Sequence, residues 1–110
     1  MKITNLLGKQ FNIKPETIKI KQRSYSDNYT TSRLVYDVTG KKSKRSNDEY
    51  VIQTYRSFCE AVGCATAIYE EYEYGSDSIY LKDLEVDKGA ILWAQKNTTI
   101  SKKRKNLYVV

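Results

Sequence analysis

The chain has no histidine, and only one proline, one methionine and one tryptophan among its 110 residues. Without an imidazole, Ser-His-Asp and Cys-His hydrolysis, histidine-ligated metal sites and imidazole-driven ribonuclease chemistry all fall away. An enzyme would need a carboxylate, lysine, tyrosine or arginine mechanism. A small metal-independent ribonuclease using Lys, Arg, Tyr and Glu is therefore the one enzymatic reading that stays open. There is no glycine-rich phosphate loop and no nucleophile elbow. The two cysteines, Cys59 and Cys64, are too few to close a structural zinc site. On one helix their spacing would also hold them too far apart for an unstrained disulfide, so they read as two small buried thiols. No metal and no cofactor is expected. No apolar run approaches the roughly 20 residues that a membrane helix needs. The apolar stretch within Met1–Lys9 is too short for a secretory signal. The expectation is a cytoplasmic protein, or one acting in a host cell's cytoplasm, with no membrane partner.

What is present fits one globular domain spanning residues 1–110, with 40% hydrophobic and 29% charged residues. Ten tyrosines against two phenylalanines is an unusual balance. A tyrosine packs like a hydrophobe but its hydroxyl needs a partner, so many of the ten belong at half-buried or surface positions. The net charge of +6 hides a segregated order. Residues 1–47 carry a net +8, residues 48–88 a net −7 and residues 89–110 a net +5. The motif-poor, lysine-, asparagine- and tyrosine-rich make-up suggests a small protein of a virus or other mobile element.

The pattern predicts an α+β fold with a mainly antiparallel sheet. From Thr17 to Val38 it reads as a β-hairpin: Ile18 and Ile20 alternate with Lys19, Lys21 and Arg23, Ser26-Asp27-Asn28 supplies turn residues, and Leu34, Tyr36 and Val38 share a face. A capping box at Ser46 and Glu49, followed by Val51, Ile52, Tyr55, Phe58, Cys59 and Val62 at helical spacing, predicts one well-capped amphipathic helix over about 47–62, ended by Gly63. Ala67–Tyr74 and Ser78–Leu81 read as a second hairpin turning at Gly75-Ser76-Asp77. Ala90–Ala94 is expected to be buried, and Asn106–Val110 to be a terminal strand tied into a sheet.

Three surfaces are candidates for function. Lys19, Lys21, Arg23 and Tyr25 share one face of the first hairpin strand at a spacing of roughly 6.6 Å, close to that of successive backbone phosphates. Tyr25 and Tyr29 offer stacking surfaces beside that row. The plainer reading is a solvated strand face, or an edge that lysines protect. The clusters Lys41, Lys42, Lys44, Arg45 and Lys102, Lys103, Arg104, Lys105 add further phosphate contacts. The acidic middle, Tyr69, Glu70, Glu71, Tyr72, Glu73, Tyr74, Asp77 and Tyr80, reads as a protein-binding surface for a basic groove. Its plainer role is to balance the basic segments, within the fold or across a homodimer. A divalent-cation site there lacks EF-hand spacing. A helix-turn-helix around Gly63 would carry Glu70, Glu71 and Glu73 toward the phosphates it must approach.

Together these point first to a non-enzymatic nucleic-acid-binding accessory protein. The alternative is an inhibitor or adaptor of a host nucleic-acid-processing protein.

Overall fold

In the computed structural model, residues 1–26 and 32–84 are described, with the backbone of Tyr108 and Val109. Strand β1 (Lys2–Thr4) turns through Asn5–Lys9 into β2 (Gln10–Asn12). Pro15 opens a 3-10 turn over Pro15–Thr17, where its fixed φ and missing N–H cost nothing. The long strands β3 (Lys19–Ser26) and β4 (Ser32–Gly40) follow, then β5 (Tyr50–Tyr55), helix α1 (Phe58–Glu73), β6 (Ser78–Tyr80) and the short β7 (Tyr108–Val109). They form two sheets, one ordered β2-β1-β6 and the other β5-β4-β3-β7. The β1–β2, β3–β4 and β4–β5 pairs are antiparallel, whereas β6 joins β1 and β7 joins β3 in parallel. The α+β class and the predominance of antiparallel pairing are as the sequence predicts, and so is the first hairpin, in register from Lys19 opposite Thr39 to Ser26 opposite Ser32. The terminal strand is tied in at Tyr108 and Val109, parallel to β3. The expected burial of Ala90–Ala94 lies outside the described residues.

Both sheets and the helix share one apolar core. Ile3, Phe11 and Ile79 come from the smaller sheet, Ile20, Val38 and Ile52 from the larger, and Ala61, Val62, Cys64, Ala65 and Ile68 from α1. In the larger sheet the period of two puts Ile20 and Val38 on the helix side and sends Lys19, Lys21, Arg23 and Asp37 to the other. Cys64 is buried beneath the Tyr55 hydroxyl; burial pushes its thiol up to about 11, against a smaller downward pull from that hydrogen bond.

The helix is real but does not lie at 47–62. Residues 50–55 are strand, and α1 begins at Phe58. The cause is a β-bulge: Val38 faces Gln53 but Thr39 faces Val51, so Ile52 is an extra residue in β5. The bulge breaks strict alternation, and a run of Val51, Ile52 and Tyr55 then counterfeits helical spacing. Its β-branched and aromatic side chains suit the strand it becomes. The capping box fails with it, because the Ser46 hydroxyl accepts instead from the Asp48 N–H two residues on, in a turn. The true first turn, after Ser57, has no side-chain cap.

Gly63 does not end the helix or form a helix-turn-helix; it lies buried inside α1. The helix ends at Gly75, which takes φ +88°. There the Gly75 N–H bonds the Tyr72 carbonyl and the Ser76 N–H reaches Glu71, the paired bonds of a Schellman motif. The predicted second hairpin is therefore replaced: 67–73 continue α1, whose Ala61, Ala65 and Ala67 favour a helix, and β6 pairs with β1.

At the end of β4, Gly40 is packed against Ile13 and Ile52. A Cβ built on Gly40 would stand 2.6 Å from Ile13 Cγ2 and 3.3 Å from Ile52 Cδ1. Ile13 and Ile52 are both about fully buried at 1% exposure, so neither can swing aside. We predict that Gly40→Ala lowers stability by about 1–3 kcal/mol through overpacking. Chemical denaturation checks this, with Gly75→Ala as a contrast whose cost comes from backbone strain and not from crowding.

Candidate functional site

The face of the larger sheet that points away from α1 collects most of its charge. Its residues come in cross-strand pairs set by register: Lys21 faces Asp37, Arg23 faces Val35, and Asp37 faces Thr54 on β5. Asp37 is the centre. Its side chain is only 8% exposed, and it accepts hydrogen bonds from Arg23 Nε at 2.9 Å, Arg23 Nη2 at 3.2 Å and the Thr54 hydroxyl at 2.6 Å. Burial pushes the Asp37 carboxyl up, but the two-pronged Arg23 contact and the Thr54 hydroxyl outweigh it and hold the group below its ordinary value. Asp37 raises the Arg23 guanidinium in return, chiefly through their hydrogen bonds. One edge of Arg23 is thereby fixed, while the side chain stays half exposed at 51%.

Beside this anchored arginine is an open depression of about 450 Å³ lined by Arg23, Arg33, Val35, Thr54 and Arg56, with Leu34 at its margin. Arg33 and Arg56 are exposed and have no carboxylate partner among the described residues. With Lys19 and Lys21, the described part of this face carries five cations against the carboxylates of Asp37 and Glu49. Guanidinium groups present planar, paired donors that match phosphate or carboxylate oxygens. The arrangement can hold an anion between three arginines, with the Thr54 hydroxyl on the same wall.

No protein-family model, no curated protein and no solved structure matches the chain.

The predicted residues scatter over this frame unevenly. Lys19, Lys21 and Arg23 lie along one strand face as expected, but two of the three are engaged, Lys21 with Glu49 and Arg23 with Asp37. Tyr25 follows on β3 opposite Arg33; its side chain, Tyr29 and Lys102–Lys105 lie outside the described residues. In the loop after β4, Lys42 and Arg45 are exposed. Lys44 pairs with Glu16 at 3.3 Å, and Lys41 is held by its backbone, whose N–H donates to the Thr17 hydroxyl.

The acidic group is a helix surface and not the strand expected. Tyr69 packs on the core and edge-on against Tyr72, whose hydroxyl donates to Glu16. The contacts from Lys44 and Tyr72 hold Glu16 below the usual carboxylate value. Glu71 accepts from the Ser76 hydroxyl, Glu70 and Glu73 are exposed, and Tyr74 is 86% exposed at the helix end. Asp77 receives the Lys2 N–H on its carbonyl, and the Lys82 ammonium sits 5.7 Å from the Tyr80 ring centre. Because α1 covers the inner face of the larger sheet, this acidic surface and the arginine face belong to opposite layers. Among the described residues no three acids or cysteines gather to hold a metal ion, and no helix is long and apolar enough to cross a membrane.

Arg33 and Arg56 were not among the predicted residues. Arg33 was within reach: it shares the parity of Val35 and Asp37 in a correctly read strand. Arg56 was hidden by the helix expected over its position.

The anchored carboxylate also ties stability to pH. A carboxyl lowered by folding stabilises the native state fully above its ordinary value of 3.8, and that contribution vanishes as the pH falls through the lowered value. We predict that Asp37→Asn melts below the wild type at neutral pH, and that the gap narrows steadily below about pH 4. Thermal melts of both proteins from pH 7 to pH 2 check the sign, and a gap that widens on acidification would refute it.

Proposed function

We propose that the protein is a non-enzymatic nucleic-acid-binding accessory protein whose β3–β5 face grips the phosphate backbone. The observation that carries this reading is the group Arg23, Arg33 and Arg56 around one depression, with a single buried carboxylate spent on fixing Arg23. Asp37 orients that arginine without cancelling the field of the other two. The Lys19, Lys21 and Arg23 row extends the positive surface along β3. Phosphate contacts of this kind position a strand without reading its sequence.

Binding of labelled oligonucleotides, read by fluorescence anisotropy, should weaken steeply as salt rises from about 50 to 200 mM. The double variant Arg33→Gln with Arg56→Gln should lower affinity about tenfold or more at low salt and flatten the log–log salt slope by about 1.5–2. Affinity that is unchanged over that salt range would refute the reading.

A second reading rests on its own observation. Described lysines and arginines that form ion pairs find Glu49, Asp37 and Glu16, none of them on α1, and no described cation pairs with Glu70 or Glu71. That leaves an acidic helix end, with Tyr74 exposed beside it, suited to a basic groove on a nucleic-acid-processing protein. Under this reading a partner captured by the protein survives nuclease treatment and is lost with Glu70→Lys combined with Tyr74→Ala.

A further inference from the structure

A second depression, of about 370 Å³, lies away from the arginine face, between the smaller sheet and the start of β5. Its chemistry is different. One wall is aromatic: the Phe11 and Tyr50 rings stand 6.1 Å apart and tilted by 49°. Phe11 is buried to 8% exposure and Tyr50 packs against the core, so both rings are fixed by the fold and not by a ligand. The rim is cationic, formed by Lys2, Lys9 and Lys42, with no carboxylate in the lining. Lys9 leans over Phe11, its ammonium 5.2 Å from the ring centre, and none of the three lysines has a carboxylate partner among the described residues. The remaining lining is two side-chain amides, Gln10 and Asn12, both exposed.

The register explains the grouping. Lys2 faces Asn12 across β1 and β2, and Gln10 has the same parity as Asn12, so all three project from one side of the smaller sheet. Phe11, of opposite parity, turns toward the core and toward Tyr50. The loop after β4 delivers Lys42 to the same rim.

Three kinds of recognition therefore meet in one concavity: point cations for a phosphate, a ring wall for a planar heterocycle, and amides with both donors and acceptors for its polar edge. The volume is at the small end of ligand sites, enough for one such molecule. We propose that this depression is a nucleotide-binding site, taking a single nucleoside phosphate, free or as the end of a strand. The lysines hold the phosphate, the base lies against the Tyr50 side of the aromatic wall, and Gln10 and Asn12 meet its edge. This site is independent of the arginine face, and either can fail without the other.

Calorimetric titration of the intact protein with the four ribonucleoside monophosphates, with inorganic phosphate and with the unphosphorylated nucleosides is the test. At least one nucleotide should bind about tenfold or more tightly than both phosphate and its own nucleoside, because only the nucleotide uses the lysines and the ring together. Lys9→Gln with Lys42→Gln should remove about tenfold of that affinity, and Tyr50→Leu should erode the preference over inorganic phosphate. Arg33→Gln with Arg56→Gln should leave nucleotide binding unchanged. A 5′-phosphorylated oligonucleotide that binds more tightly than the mononucleotide assigns the site to strand ends, and equal affinity assigns it to the free nucleotide. Phosphate binding as well as the nucleotide does, no nucleotide binding at millimolar concentration, or loss through the arginine variant would each overturn the proposal.

Discussion

The whole arrangement depends on β4. Among the described strands it is the one paired by long neighbours on both sides, and its alternation sorts the two chemistries of the described residues. Tyr36 and Val38 turn to the helix, and Arg33, Val35 and Asp37 turn away from it. A shift of one residue in register would bury Arg33 and Asp37 under α1 and expose Val38. Such a slip is opposed at both ends of the strand: Gly40 fits only where Ile13 and Ile52 leave no room for a side chain, and Asp37 finds its donors only opposite Thr54 and one pair from Arg23. The apolar constraint and the polar constraint select the same register, so the cations on the outer face are placed by the core beneath them.

Asp37 does a second thing that a surface acid would not. A carboxylate this buried is costly unless its oxygens are satisfied, and Arg23 and Thr54 supply that satisfaction. The pair gains little from bulk attraction, because Arg23 stays half in water, but it gains direction. A free arginine samples many rotamers, whereas one held by a two-pronged contact presents its remaining N–H groups in a fixed plane. Arg33 and Arg56, without such an anchor among the described residues, can adjust around it. One fixed and two adaptable guanidinium groups suit an anion repeated along a flexible polymer better than a single rigid ligand.

How much of this could be read from the residues follows from where local and long-range signals agree. The first hairpin was legible because Ile18, Ile20, Tyr36 and Val38 alternate cleanly with charge, and the Lys19, Lys21 and Arg23 row was legible for the same reason. The helix was legible as an element but not in place. The bulge at Ile52 is set by pairing with β4, a contact between residues distant in sequence, and no local rule announces it. Gly63 and Gly75 pose a related difficulty: Gly63 reads as the helix end and Gly75 as a hairpin turn, and only packing shows that Gly63 lies buried within α1 while Gly75 takes the left-handed conformation that ends it. The arginine depression needed β3, β4 and the end of β5 together, and the lysine depression needed β1, β2, β5 and the loop after β4. Neither grouping exists at any single stretch of sequence.

The order of charges along the chain, basic then acidic then basic, takes on a spatial meaning once the layers are known. The sequence pattern reads the acidic stretch as part of a second hairpin, free to join the same sheet as the basic strands. As the C-terminal half of α1 it is carried to the far side of the sheet instead, and the acids that do meet the basic segments are Glu16 and Asp37, from the first basic segment itself, and Glu49, from the start of the acidic one. The described part of the molecule thus carries the Glu70 and Glu71 end of α1 and the arginine depression on opposite sides of the larger sheet. On the proposed reading, that separation would leave the arginine face positive toward an approaching polyanion, and would orient it, since a phosphate backbone meeting the helix layer would be repelled by Glu70. It also gives the two concavities different tasks. On the proposed readings, forked guanidinium groups on the sheet face would track a repeating backbone, while lysines around fixed rings would enclose one unit of it.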